Sequence, residues 1–156
     1  MKVGMMNDPA VDPVREARWA AEHGFDFIDL TLEGPGARVD KLDVAGLGTV
    51  LRATGLGIVG HTAWYLPLAS PFQELRTTAR DLYRRALDAF ADAGVELVNV
   101  HPDGRVPLHN RDQMRKMNAE AIGQLAQDAA QLGITVMVEN LDRNFSDVDD
   151  LKPVLD

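Results

Sequence analysis

The chain contains no cysteine, which removes disulfides, thiolate metal sites and cysteine nucleophiles together. Any metal must then be held by histidine and carboxylate side chains, and the expected compartment is the cytoplasm. Basic residues are outnumbered, since 16 Lys and Arg against 24 Asp and Glu leave a formal net charge of -8. A surface that neutralises phosphates needs a concentrated basic face, so nucleic acid is not an expected partner. The opening Met-Lys-Val-Gly-Met-Met has neither the basic start nor the small-residue cleavage site of a secretory signal. No membrane span is expected, because the uncharged stretch from Ala53 to Gln73 is interrupted by Gly55, Gly57, Gly60, His61, Pro67 and Pro71.

Several chemistries are missing as motifs. There is no P-loop lysine, no G-x-S-x-G elbow and no H-E-x-x-H pair. Gly55, Gly57 and Gly60 spell G-x-G-x-x-G, but they enter an expected strand, whereas a dinucleotide fingerprint leaves a strand and opens a helix. In DRNFSDVDD, Asp147 stands where a calcium loop needs Gly and Pro153 where it needs the closing Glu. That stretch is read as a loop and helix start.

What is present is a repeated transition. A helical pattern stops at Gly and an apolar, β-rich run follows: HGFDFIDL, TGLGIVGH, AGVELVNV and LGITVMVE. Gly24, Gly55, Gly94 and Gly133 are placed just past helix ends, where a left-handed backbone costs Gly little. With an opening strand near Lys2 to Met6, this predicts five strands, the others being Phe25 to Leu32, Gly57 to Thr62, Val95 to His101 and Ile134 to Asn140. Helix starts are expected at Asp12 before Pro13, Ser70 before Pro71, Asn110 with Gln113, and Ser146.

Alternating strands and helices in 156 residues predict one α/β domain with a parallel sheet. Periodicity alone does not separate a doubly wound sheet from a barrel, but the strand ends are polar. Asn7 and Asp8, Glu33, His61, His101 with Asp103, and Glu139 with Asn140 close the five strands in turn. In either architecture these ends form the functional face. Alternation puts Asp29, Thr31 and Glu33 on one strand face, as it does Asn99 with His101 and Thr135 with Glu139. Apolar residues facing helices and polar ones facing inward suit a barrel with a wet upper interior.

His61, His101 and Glu139 would bring two nitrogens and a carboxylate together, a donor set for zinc, manganese or cobalt rather than calcium. A bound ion there would orient a polyol and acidify its hydroxyl. Hydrogen bonding within loops is the alternative for each histidine. His23, in the last turn of the first helix, and His109, before a cap, are read as structural. Trp64 and Tyr65 in HTAWYLPLASP would stack on a sugar ring or pack in the loop.

KVGMMN, GFDFIDLTLEGP, GHTAWYLPLASP, VNVHPDG and VMVENLD together resemble the xylose isomerase-like superfamily, in particular sugar phosphate isomerases and epimerases related to apurinic endonuclease family 2. The resemblance implies a TIM (β/α)8 barrel whose first five βα units are present, residues 1–156 being the N-terminal portion of one barrel domain. A complete barrel needs about 250 residues, so a truncated or incomplete product is expected, with edge strands open to association or a homo-oligomer. The resemblance further implies a divalent ion (Mn, Zn, Co or Mg) on His61, His101 and Glu139, with Glu139 also moving protons. Glu33, Trp64, Asn99 and Asn140 would line the pocket for a sugar or sugar phosphate.

The expected activity is metal-dependent isomerisation or epimerisation by proton transfer next to a carbonyl, through an enediolate. A zinc phosphodiesterase of the apurinic endonuclease kind, and a non-catalytic barrel fragment that binds sugar or metal, are the alternatives.

Overall fold

The computed structural model describes residues 1–104, 109–140 and 145–155. Part of DRNFSDVDD, the end of VMVENLD and the last residue of the chain lie outside the described residues. The elements alternate as β1 (Gly4–Met6), α1 (Pro13–Glu22), β2 (Phe27–Thr31), α2 (Val44–Thr54), β3 (Gly57–His61), α3 (Gln73–Asp92), β4 (Leu97–Val100), α4 (Arg111–Ala130), β5 (Thr135–Val138) and α5 (Val148–Leu155). The strands form one sheet in the order β1-β2-β3-β4-β5, every neighbouring pair parallel. A doubly wound sheet reverses its strand order partway. Here it never reverses, so successive right-handed crossovers lay their helices on the same side, as in a barrel wall.

Gly24, Gly55, Gly94 and Gly133 have φ of 79, 72, 80 and 74°, the left-handed turn expected where each helix hands over to a strand. Asp12 caps α1 by accepting from the Val14 and Arg15 amides, and Asn110 and Gln113 form a reciprocal capping box on α4. Two expected caps are corrected. Ser70 accepts from the Phe72 amide at 3.2 Å and so closes a turn before α3, which begins only at Gln73. At α5 the cap is Asp147 rather than Ser146, its carboxylate accepting from the Asp150 amide at 3.0 Å. A carboxylate there also suits the positive end of the helix dipole. The strands are shorter than the apolar runs implied, because their flanking residues enter turns and loops.

Ile28, Leu30, Val98 and Val100 are fully buried and pack with Leu47, Leu87, Phe90 and Leu125 from the helices. Gly60 lets the Phe90 ring approach β3, since a Cβ there would lie 3.1 Å from two ring carbons. On the helical side, Arg80 and Arg84 grip Asp128 at 2.9–3.2 Å and join α3 to α4. These bonds, Arg84 foremost, hold the Asp128 carboxyl down at about 2. Arg111 and Arg115 meet the buried carboxylate of Asp150 and fasten α5 to α4. The opposite face of the sheet keeps Met6, Leu97 and Met137 exposed.

Candidate metal centre

The register places the site. His61 ends β3 and pairs with Asn99, so His101 follows two residues further along the neighbouring strand. Val100 pairs with Val138, which sets His101 level with Glu139. The Glu139 amide continues the ladder by donating to the Val100 carbonyl at 3.0 Å, so Glu139 lies just beyond β5 in strand-like continuation. The end of β3 is held likewise, the Thr62 amide and hydroxyl both donating to the Asn99 carbonyl at 3.0 and 2.9 Å. At the other side of the sheet, the buried Asn7 side chain acts as an extra peptide unit, accepting from the Thr31 amide at 2.7 Å.

One ligand atom each from His61, His101 and Glu139 fall within 4.8 Å of one another. The two imidazoles are buried, at 7% and 4% exposure, while Glu139 is open to solvent. Their Nε2 atoms face each other at 2.8 Å, so only one of the two carries a hydrogen. His61 Nδ1 lies 3.0 Å from Asp29 Oδ2, a bond that raises the His61 pKa. Burial first, and the neighbouring His61 second, lower that of His101. Asp29 Oδ1 and His101 Nδ1 are buried without a hydrogen-bond partner among the described residues. Two convergent nitrogens, a carboxylate and unspent polar atoms fit a borderline divalent cation better than a closed hydrogen-bond network.

The remaining expected residues surround this cluster unevenly. Asn99 Nδ2 donates to Glu139 Oε2, and the Thr31 hydroxyl donates to Glu33 Oε1 at 2.9 Å. Trp64 is 43% exposed and meets Tyr65 edge-on, with ring centroids 5.9 Å apart. Asn140 is exposed beyond β5. A cleft of about 630 Å³ is walled by Glu33, His61, Thr62 and Tyr65, but by neither His101 nor Glu139, and it runs towards α3. Burial and the Glu33 carboxylate both push the Tyr65 phenol up.

Two contributions escaped the sequence reading. Alternation places Asp29 on the inward face, and its pairing with His61 depends on the imidazole lying back along the sheet from a register position two residues further on. Asn118 on α4 accepts from the Asp103 amide at 2.7 Å and donates to the Asp103 and Met114 carbonyls at 3.1 and 2.9 Å, fixing the loop after His101. Asn118→Ala removes these three hydrogen bonds and is expected to cost about 1–3 kcal/mol, measured as a lower urea midpoint. An unchanged midpoint would show that the loop is held by other contacts.

Parallel strands wound consecutively in one sheet define a (β/α)-barrel type of protein, and His61, His101 and Glu139 gather at their carboxyl ends as a candidate metal site. A family model described as xylose isomerase-like TIM barrel matches residues 17–156, and the chain belongs to that family. Among solved structures it is similar to 3-keto-D-glucoside 4-epimerase YcjR from E. coli, with TM-score 0.80, 22% identity, and coverage of 99% of this chain and 63% of that one. It is also similar to D-psicose 3-epimerase from Clostridium cellulolyticum H10, solved with D-tagatose, with TM-score 0.79, 17% identity, and coverage of 99% and 60%. A third is the IOLI protein with a binding zinc atom, with TM-score 0.67, 11% identity, and coverage of 88% and 51%. At such identities the likeness is one of fold. No curated protein matches the chain by sequence.

The chain thus spans less than two thirds of the length of these epimerases, and its five strands form a partial barrel of this type. The face bearing His61, His101 and Glu139 corresponds to the barrel interior, and the face bearing Ile28 and Val98 to the helical layer. Among the described residues no helix is long and apolar enough to cross a membrane.

Proposed function

We propose that residues 1–156 belong to a single barrel domain of a divalent-metal-dependent sugar isomerase or epimerase. The observation that carries this reading is the convergence of His61, His101 and Glu139 within 4.8 Å at the strand ends. The epimerase neighbours support the choice of a sugar, with or without phosphate, over the phosphodiester of an endonuclease, and the net charge of -8 agrees. The cytoplasm is the proposed setting.

His61 and His101 would hold the ion through Nε2 and Glu139 through one carboxylate oxygen. Bound there, zinc, manganese, cobalt or magnesium supplies Lewis acidity that polarises a carbonyl and its neighbouring hydroxyl. Glu139 would take the proton from the carbon beside that carbonyl, the C–H electron pair moving into the new carbon–carbon double bond as the carbonyl oxygen gains charge. Asn99 orients the Glu139 carboxylate through its amide. Glu33, whose Oε1 is held by Thr31, and Asn140 would bond sugar hydroxyls, and the exposed Trp64 ring would cover an apolar sugar face.

Incubating the complete gene product with manganese or zinc and a panel of ketohexoses in D2O tests the proposal. Epimer formation with deuterium at the inverted carbon is expected. Sugar binding without exchange at any carbon would replace the enzyme reading with that of a binding protein.

A further inference from the structure

We infer that Asp29 is a positioning residue which fixes the tautomer of His61 and aims its Nε2 lone pair at the metal. The inference rests on the metal reading of the site.

A carboxylate only accepts, so the 3.0 Å bond between Asp29 Oδ2 and His61 Nδ1 places the imidazole hydrogen on Nδ1. In the neutral ring Nε2 is then unprotonated. That atom lies on the far side of the ring, 2.8 Å from His101 Nε2 and inside the cluster completed by Glu139. A carboxylate on the second nitrogen of a ligating histidine both orients the ring and strengthens it as a donor.

The two histidines differ in this respect. His101 Nδ1 has no carboxylate partner among the described residues, so His61 alone of the two has its second nitrogen held by a carboxylate. Asp29 is also committed to this one task. Its Oδ1 makes no hydrogen bond among the described residues, and β2 holds its backbone independently through the register with β1 and β3. Asp29→Asn therefore alters the partner of His61 while keeping the side chain's shape.

The test is a cobalt(II) titration followed by visible absorption, comparing the unmodified protein with Asp29→Asn. Cobalt affinity is expected to fall about 10- to 100-fold in the variant. Imidazole 15N NMR of the metal-free, unmodified protein is expected to show His61 protonated on Nδ1, a result that does not need the variant to fold. Equal cobalt affinity in the two proteins would overturn the role of Asp29 while leaving the metal site standing. A His61 ring protonated on Nε2 instead would also overturn it. No cobalt binding by the unmodified protein would overturn both the metal reading and the inference built on it.

Discussion

With the proposed epimerase activity, Glu139→Gln is expected to lower sugar turnover by about 10²–10⁴-fold, the usual contribution of a positioned general base. Gln keeps the length and shape of the side chain and one oxygen acceptor, but it has no negative charge for a cation and no basicity for a carbon acid. Glu139 is exposed just beyond β5, apart from the buried core, so its replacement should leave the thermal melting curve nearly unchanged. The readout is solvent deuterium incorporation into the ketose under saturating metal. Retained exchange would remove Glu139 from the proton-transfer step.

Phe90→Ala is expected to cost about 3–5 kcal/mol of folding stability. Phe90 is fully buried, and its ring lies over the bare backbone of Gly60 on β3. The β3 residue directly facing the ring is Gly60, which has no side chain to refill the space. The backbone at the same residue also matters, since the Phe90 carbonyl accepts from the Val95 amide at 2.9 Å in the turn leading to β4. The substitution should move the urea midpoint strongly downwards without changing which residues gather at the strand ends. A loss below about 1 kcal/mol would mean that α3 is held to the sheet chiefly by other residues.

The parts of this fold that were legible in the sequence are the local ones. Each of α1 to α4 is followed by a glycine with positive φ and then by a strand, so the turns at Gly24, Gly55, Gly94 and Gly133 mark out the alternation directly. Strand parity then assigns His61, His101 and Glu139 to one face, and parallel neighbours in sequential order bring their ends level. Inward-facing polar residues at the strand ends favour a barrel where periodicity leaves the choice open, and the resemblance to the barrel family points the same way.

The less legible parts depend on distances between elements. Asp29 pairs in register with Val59, two residues before His61, and reaches the histidine only because the imidazole lies back along the sheet. Asn118 meets Asp103 across 15 positions, from a buried face of α4 where a polar residue could equally have been read as an exposed one. Ser70 and Ser146 show the limit of cap signals. Asp147 competes successfully with the adjacent serine, and Ser70 spends its hydroxyl on the Phe72 amide before the helix has begun.

The proposed metal centre requires that His61, His101 and Glu139 hold one divalent cation together. Anomalous diffraction at the zinc edge, on crystals grown with zinc, tests it most directly. A peak is predicted within bonding distance of both Nε2 atoms and one Glu139 oxygen, near 2.0–2.2 Å from each. Zinc bound elsewhere, with the two histidines still facing each other across a hydrogen bond, would contradict it.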